Sequence, residues 1–571
     1  MPSLSLSPPG AEGIRHTHEP STLSALTKQK DMAPRDHHEE KLPLLPTLSA
    51  VGEPAVDVKA EFLGLSSIAL QVSLATFARI ALYSIDYAFL GHLGTTELAA
   101  ASLASVWTTV PLLTVWSSMS AIVTLCGQAW GAGNGKLAGI WLQMGLVLVT
   151  VCTPVLMAFY WFVGVGLRAS TDDAEVVRLG IRFARILMLS IWPNLTYVCL
   201  RLYFQAMGVM MPTTVVGTLS MAVSVTTNYF LIYGALGWDG LGFDGSALAT
   251  VVASWFQPAA LAWYCIIYKK MHLQAWGGWD LKEFTRERLT VFYNNAAPAA
   301  INSLVSNVAS SSLSLIAAWL GADIIAANAI VSGFWRLLWA LFWGFGSGTQ
   351  IRVSNLLGAN RPKAAKMLSI LGFGCTVITV VTLASITLVF RADVFRLYTN
   401  DTDLLNVCVA VLPIFVVAFM VEAMEMVFAS ILSAMGQVHI TAWTSTLATW
   451  LVELPAAYVL AIVLDGGFAA LWYSICLMEV VKLMVYVVVL RRIDFADMAR
   501  EAVKNMEVED EAEEVNVAVA EGGTTALGAN TGLPSPVPTT LMTPTGLVHQ
   551  WDHVDDGVHP PSTATAEQSG V

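Results

Sequence analysis

LGTTELAAA at Leu93–Ala101 returns 227 residues later as LGADIIAAN at Leu320–Asn328. GAGNGK at Gly131–Lys136 returns at the same offset as GANRPK at Gly358–Lys363. Ala206-Met207-Gly208 returns at an offset of 228 as Ala434-Met435-Gly436. Three matches at nearly one spacing mark an internal duplication. The residues around them decide what is duplicated. About twelve apolar runs, each near the roughly 20 residues that cross a bilayer as a helix, are predicted at 62–90, 98–126, 138–164, 179–206, 212–236, 245–268, 289–319, 324–350, 366–390, 404–435, 440–464 and 468–490. Six fall in each copy. An even number of crossings gives both copies one orientation, related by an axis along the membrane normal. Transporters use such repeats, with substrate between or within the halves.

Composition agrees. The chain has 571 residues, 55% hydrophobic and only 13% charged, with a mean hydropathy of +0.62. A soluble globular protein carries about 25% charged residues. The predicted fold class is therefore all-α, a polytopic membrane protein of twelve transmembrane helices in two pseudo-symmetric six-helix lobes. Pro111, Pro154, Pro193, Pro258, Pro298, Pro413 and Pro455 fall inside the runs, where neighbouring helices can satisfy the freed carbonyls. The predicted organisation is a disordered N-terminal tail over 1–60, an N-lobe over 61–270, an inter-lobe loop over 271–288, a C-lobe over 289–492 and an acidic disordered tail over 493–571. That last segment carries 14 of the 42 acidic residues and 2 of the 30 basic ones, which leaves 28 of each before it. The net charge of −12 thus sits in the tail. No basic block marks a nucleic-acid partner.

Lys and Arg in short loops set orientation. One set of loops holds Lys136, Lys269, Lys270, Lys282, Arg286, Arg288, Arg352, Arg361, Lys363 and Lys366; the alternate set holds Arg168, Arg178, Arg391 and Arg396. The richer set is expected in the cytosol, with both termini. The sequon Asn400-Asp401-Thr402 falls on the other side, while Asn194-Leu195-Thr196 lies inside a helix and is expected to be inert.

Other chemistry is excluded by context. All seven cysteines lie in apolar runs, which gives neither a disulfide framework nor a zinc site. Gly344–Gly348, GFGSG, has glycine-loop spacing but no preceding strand. No Walker loop supports direct ATP drive, no HExxH is present, and the chain is not expected to be an enzyme. His37-His38-Glu39-Glu40 reads as solvated tail. Glu40–Leu45, EKLPLL, has the form of an acidic dileucine sorting signal, which would point to an endomembrane such as the vacuole.

The acids inside the helices carry the functional reading. A carboxylate at membrane depth is costly, so it is a functional candidate by default. Such a group can take a proton on one side and release it on the other; if it also contacts a cationic substrate, the two compete. Asp86 lies in the first run, with Arg79 two turns back on the same face as an alternative structural partner. Glu422 lies well inside the tenth run. Glu425, one turn on, shares its face, and two carboxylates so close titrate as a pair. Its other reading is an acid near the cytosolic end, solvated or snorkelling. Glu453 and Arg336 are also deep, and a buried Glu453–Arg336 or Glu422–Arg336 salt bridge is the structural alternative. Glu479 and Lys482 are three apart and read as a local pair.

Over roughly residues 62–490 the chain resembles the multidrug and toxic compound extrusion transporters. The resemblance rests on GHLGTTELAAASLA (Gly91–Ala104), TLCGQAWGAG (Thr124–Gly133), QAMGVMMP (Gln205–Pro212), GLGFDGSALAT (Gly240–Thr250), RVSNLLGANRP (Arg352–Pro362) and the AMGQ at Ala434–Gln437. It implies two six-helix lobes forming a V, and export of organic cations, drugs or metabolites driven by proton or, less readily, sodium influx. It gives Asp86 the place of the N-lobe coupling aspartate, Asn228 that of a second N-lobe acid, and Thr250 that of a threonine near it. Glu422 matches an essential acid of eukaryotic members. Their two glutamates on the seventh helix fall on Ser306 and Ser311, in a stripe that also holds Asn302, Ser303, Asn307, Ser310 and Ser312. The stripe reads equally as a substrate path or as interhelical hydrogen bonding. Glu453 has no family counterpart and could replace the missing charge. Asn194 is the repeat counterpart of Glu422, so the lobes are chemically unequal. The resemblance implies a monomer in the plasma membrane or an endomembrane, taking a small-molecule cation and no cofactor beyond the coupling ion. The alternatives are a flippase or exporter of anionic or lipid-linked cargo, which Arg79, Arg201 and Arg336 would serve, and a receptor or scaffold whose acidic tail does the work, which a tail deletion would disable.

Overall fold

A computed structural model describes residues 57–234, 237–396 and 402–505. Within them the chain is helical, with no β-strand. The first half holds α1 (Val58–Leu93), α2 (Thr95–Ser118), α3 (Ser120–Gly131), α4 (Gly135–Trp161), α5 (Val163–Ser170), α6 (Ala174–Leu187), α7 (Ile191–Ala206), α8 (Met211–Tyr233) and α9 (Phe243–Ala262). The second holds α10 (Arg286–Trp319), α11 (Ala322–Gly358), α12 (Pro362–Val389), α13 (Arg391–Arg396), α14 (Thr402–Ala434), α15 (Val438–Ala448), α16 (Leu454–Tyr458) and α17 (Gly467–Arg492). Among the described residues eleven stretches are long and apolar enough to cross a membrane. The twelfth expected helix is α10, one unbroken helix of 34 residues. Its Asn and Ser stripe runs along a helix of membrane-spanning length.

Local chemistry accounts for the ends. Asp57 caps α1 by accepting from the Lys59 and Ala60 amides, so α1 starts four residues earlier than expected. The repeated Ala-Met-Gly triplets close α7 and α14 in one way. Gly208 and Gly436 take φ of +82° and +79°, a left-handed turn that only glycine adopts freely. The following amides then reach back to Phe204 and Leu432, satisfying carbonyls that a helix end leaves orphaned. The tail boundary at 493 is corrected by a further helix over 495–505. Asp494 accepts from the Ala496 amide, and Ala499 and Ala502 are buried in the core of the second half. The apolar face of this helix docks before the acidic run begins. The sequon at Asn400, the dileucine-like Glu40–Leu45 and His37–Glu40 lie outside the described residues.

Each half has its own core, one around Trp141, Tyr203 and Phe204, the other around Phe342, Phe415 and Phe419. The halves meet through α1 and α3 against α11, and through α2 against α10. Arg352 pairs with Glu61 at 2.5 Å. Gln128 donates to Ala434 O at 3.0 Å, and the repeat-equivalent Asn355 side chain lies 3.2 Å from Ala206 O, to which its amide donates once its oxygen and nitrogen are exchanged to satisfy both. The duplicated glycines explain this seam. A Cβ on Gly131 would overlap the Asn355 carbonyl, and one on Gly358 the Gln128 carbonyl. The GFGSG glycines lie within α11, where Gly344 lets α1 approach through Ala69. Because both obstacles are backbone, Gly131→Ala should pry the halves apart at this end. Maleimide labelling of Cys at Ser354, buried here, should then rise about tenfold; unchanged labelling would show that the seam tolerates a methyl group.

Candidate functional site

Asp86 sits near the end of α1, where α1 packs on α8 and α9. Its carboxylate accepts from Asn228 Nδ2 at 2.8 Å, Ser224 Oγ at 3.3 Å and Thr250 Oγ1 at 3.1 Å. Three residues singled out from the sequence, Asp86, Asn228 and Thr250, therefore converge on one point from three helices. Ser224 was not singled out; its signal was its position one turn before Asn228, on the same face. The Arg79 alternative fails. Its guanidinium carbon lies 4.3 Å from the centre of the Trp116 ring, and among the described residues no cation pairs with Asp86. Its donors are neutral, and they stabilise the carboxylate without cancelling its charge.

The second group lies in the other half, on α14, α17 and the turn before α16. Lys482 Nζ contacts Glu479 at 2.9 Å and Glu425 at 3.3 Å. The Glu479–Lys482 pair matches its local reading, while the link to Glu425 is tertiary. Glu425, Glu453, Glu479 and Lys482 are at most 9% exposed, so Glu425 is neither solvated nor snorkelling. Glu453 ends a π-helical stretch, Thr449–Glu453, a distortion frequent at functional sites. Glu422 and Glu453 lie within electrostatic reach of Glu479 and Lys482. One carboxylate oxygen each of Glu422 and Glu479 is buried without a hydrogen-bond partner. Four carboxylates thus share one ammonium. An unpaired buried carboxylate costs several kcal/mol, and a bound proton removes that charge.

Arg336 takes no part. It is exposed, and among the described residues no acid pairs with it, which corrects both salt bridges expected with Glu453 and Glu422. Asn194 is half-buried on α7, with no hydrogen-bond partner among the described residues. The α10 stripe divides. Asn302 accepts from Thr446 Oγ1 of α15 at 3.3 Å, and Ser303 donates to Leu113 O across the halves at 3.3 Å. Ser306 reaches Asn302 at 3.5 Å. Asn307 and Ser311 bond back to their own helix at 2.7 and 3.0 Å, and Ser311 is exposed. Asn302 also lines a cavity of about 410 Å³ with Tyr293, Pro298, His439 and Trp443. What sequence reasoning missed was Lys482 as the hub. The clue was a lysine at membrane depth, where a charge is costly and draws in every acid within reach.

This architecture has known counterparts. The chain is 27% identical over 424 residues to multidrug and toxin extrusion protein 2 of Oryctolagus cuniculus, covering 74% of this chain and 69% of that one. It is 22% identical over 402 residues to the multidrug resistance protein NorM of Aliivibrio fischeri, covering 70% and 87%. The structure of the eukaryotic MATE transporter AtDTX14 superposes with a TM-score of 0.71 at 22% identity, covering 78% of this chain and 99% of that one. An outward-facing multidrug resistance MATE transporter gives 0.68 at 14%, covering 80% and 100%. The family profile described as MatE matches residues 72–230 and 298–459, more than half of the sequence, and the chain belongs to that family of multidrug and toxic compound extrusion transporters, which are carriers and not enzymes.

Proposed function

We propose that this chain is a secondary active antiporter, exporting organic cations, drugs or metabolites from the cytosol in exchange for protons. The observation that carries the reading is Asp86, a carboxylate inside the bundle held only by neutral donors of α8 and α9. Protonating it removes the charge that a cationic substrate needs. The Glu422, Glu425, Glu453, Glu479 and Lys482 group is a second proton-exchanging centre. It takes over the role that Ser306 and Ser311 cannot fill. Protons favour release of substrate, and substrate favours release of protons, so each ligand biases the exchange between conformations through its differential affinity. The coupling ion in this reading is the proton, bound and released at the Asp86 carboxylate itself.

The seam of Glu61, Gly131, Arg352 and Gly358 lies at the end that carries the Lys- and Arg-rich loops. With those loops and both termini in the cytosol, this conformation is closed to the cytosol and faces outward. The protein acts as a monomer in the plasma membrane or a vacuolar-type endomembrane. In proteoliposomes, an imposed pH gradient should drive ethidium transport, and a sodium gradient at equal pH should not. Glu422→Gln should slow the pH-driven flux about tenfold. Sodium-driven flux with no response to pH would refute the proton reading.

A further inference from the structure

We infer that the cavity between α10 and α15 is a sterol site, taking a flat fused-ring membrane lipid with a single hydroxyl. The inference does not rest on the antiport reading.

The cavity holds about 410 Å³ between the N-terminal part of α10 and α15. Tyr293 and Trp443 border it and are 66% and 64% exposed. A Tyr and a Trp so exposed near the ends of spanning helices belong to the aromatic belt at the membrane surface. The cavity therefore opens to lipid at the level of the headgroups, at the end that carries the Lys- and Arg-rich loops. Among the described residues that line it, none is Lys, Arg, Asp or Glu. A phosphate headgroup would find no guanidinium or ammonium there, and an organic cation no carboxylate. The lining suits a neutral ligand.

Polar groups stand at both ends. Pro298 has no amide hydrogen, so the Asn294 carbonyl one turn back lacks its helical donor, and both residues line the cavity. The side chains of Asn294 and His439 make no hydrogen bond among the described residues. This outer end can receive one hydroxyl. At the inner end Asn302 accepts from Thr446 at 3.3 Å, which ties the two helices together. Eight residues separate Asn294 from Asn302, about 12 Å along the axis, which suits a fused ring system and is short for an extended acyl chain. Between the ends Ala297, Pro298 and Ala442 are short side chains that leave a flat slot beside Trp443. A rigid ring system also loses less conformational freedom on binding than a flexible chain.

The two walls belong to different halves. Phe292 and Ala296, on the opposite face of the same turns of α10, lie in the core of the first half. Phe292 stacks on Trp141 with ring centroids 6.4 Å apart. α15 packs on α17 of the second half, where Tyr486 donates to Thr441 O at 3.1 Å. A sterol in the slot bridges the halves and favours the conformation in which they stand this way.

The test uses a sterol with a diazirine on its ring system, reconstituted with the purified full-length protein in phosphatidylcholine vesicles and activated by light. Peptide mass spectrometry locates the adducts. They should concentrate on residues 293–302 and 439–446, and an excess of unmodified sterol should cut them about tenfold, as competition for one saturable site requires. Ala297→Phe, which fills the slot, should lower them about tenfold at an unchanged melting temperature. Trp443→Ala, at an exposed side chain, should lower them about fivefold by removing an aromatic wall. Adducts spread evenly along the lipid-facing helices, or adducts that unmodified sterol does not displace, would overturn the site even if Ala297→Phe fails to fold. So would full labelling of Trp443→Ala. Equal competition by diacylglycerol, a neutral lipid with flexible chains, would overturn it too, because the slot would then not select a ring system.

Discussion

Asp86→Asn is expected to slow pH-driven cation exchange by about a hundredfold, the upper range of a coupling free energy between two ligands. The substitution keeps the volume and much of the hydrogen-bonding capacity of the side chain. It removes only the site that gains and loses a proton. Asn228 and Ser224 would still meet an oxygen, and the Thr250 hydroxyl, which now donates, can turn to accept from the new amide, so the packing of α1 on α8 and α9 should survive. A loss of exchange with an unchanged melting temperature therefore isolates the proton. Counterflow of cation against cation, which needs no proton movement, should persist at reduced affinity. Proteoliposome flux with and without a pH gradient separates the two. Full pH-driven exchange in Asp86→Asn would remove Asp86 from the coupling mechanism and leave the group around Glu422 as the coupling centre.

The second large effect is on stability. Lys482→Met should destabilise the folded protein by about 3–5 kcal/mol, the cost of leaving one partner of a buried ion pair uncompensated. Among the described residues Lys482 is the one cation that contacts Glu425 and Glu479, and α14 packs on α17 through this region. Met matches the length of the aliphatic stem, so the loss is of charge and not of volume. Replacing a whole buried pair by neutral groups is often harmless. Lys482→Met combined with Glu425→Gln should therefore recover much of the loss. Thermal melting of the purified protein checks both variants. A Lys482→Met protein that melts like wild type would mean that the carboxylates already carry protons in its place.

The Asp86 site was largely legible in the sequence because its parts carry family spacing. Asp86, Asn228 and Thr250 were each placed by motif, and the structure joins them. The C-terminal group was legible only in pieces. Glu422 and Glu425 share a helical face, and Glu479 and Lys482 are three apart, but nothing local links Lys482 to Glu425, 57 residues away. Arg336 shows the same limit from the other side. Depth along the helix was right, while its direction around the helix was wrong.

The sequence by itself determined the helices, their number in each half and the duplication, because the length of an apolar run and the spacing of a repeat are properties of the chain. It also determined where the halves touch, in retrospect, since Gly131 and Gly358 recur where only a missing Cβ permits the contact. The facing of each side chain was decided by tertiary structure alone. A soluble helix shows its inner face by hydrophobic periodicity. A membrane helix meets lipid and protein interior that are equally apolar, so the pattern that would say which residues look inward is erased. The partners of Lys482 and the outward facing of Arg336 could therefore be known only once the helices were packed.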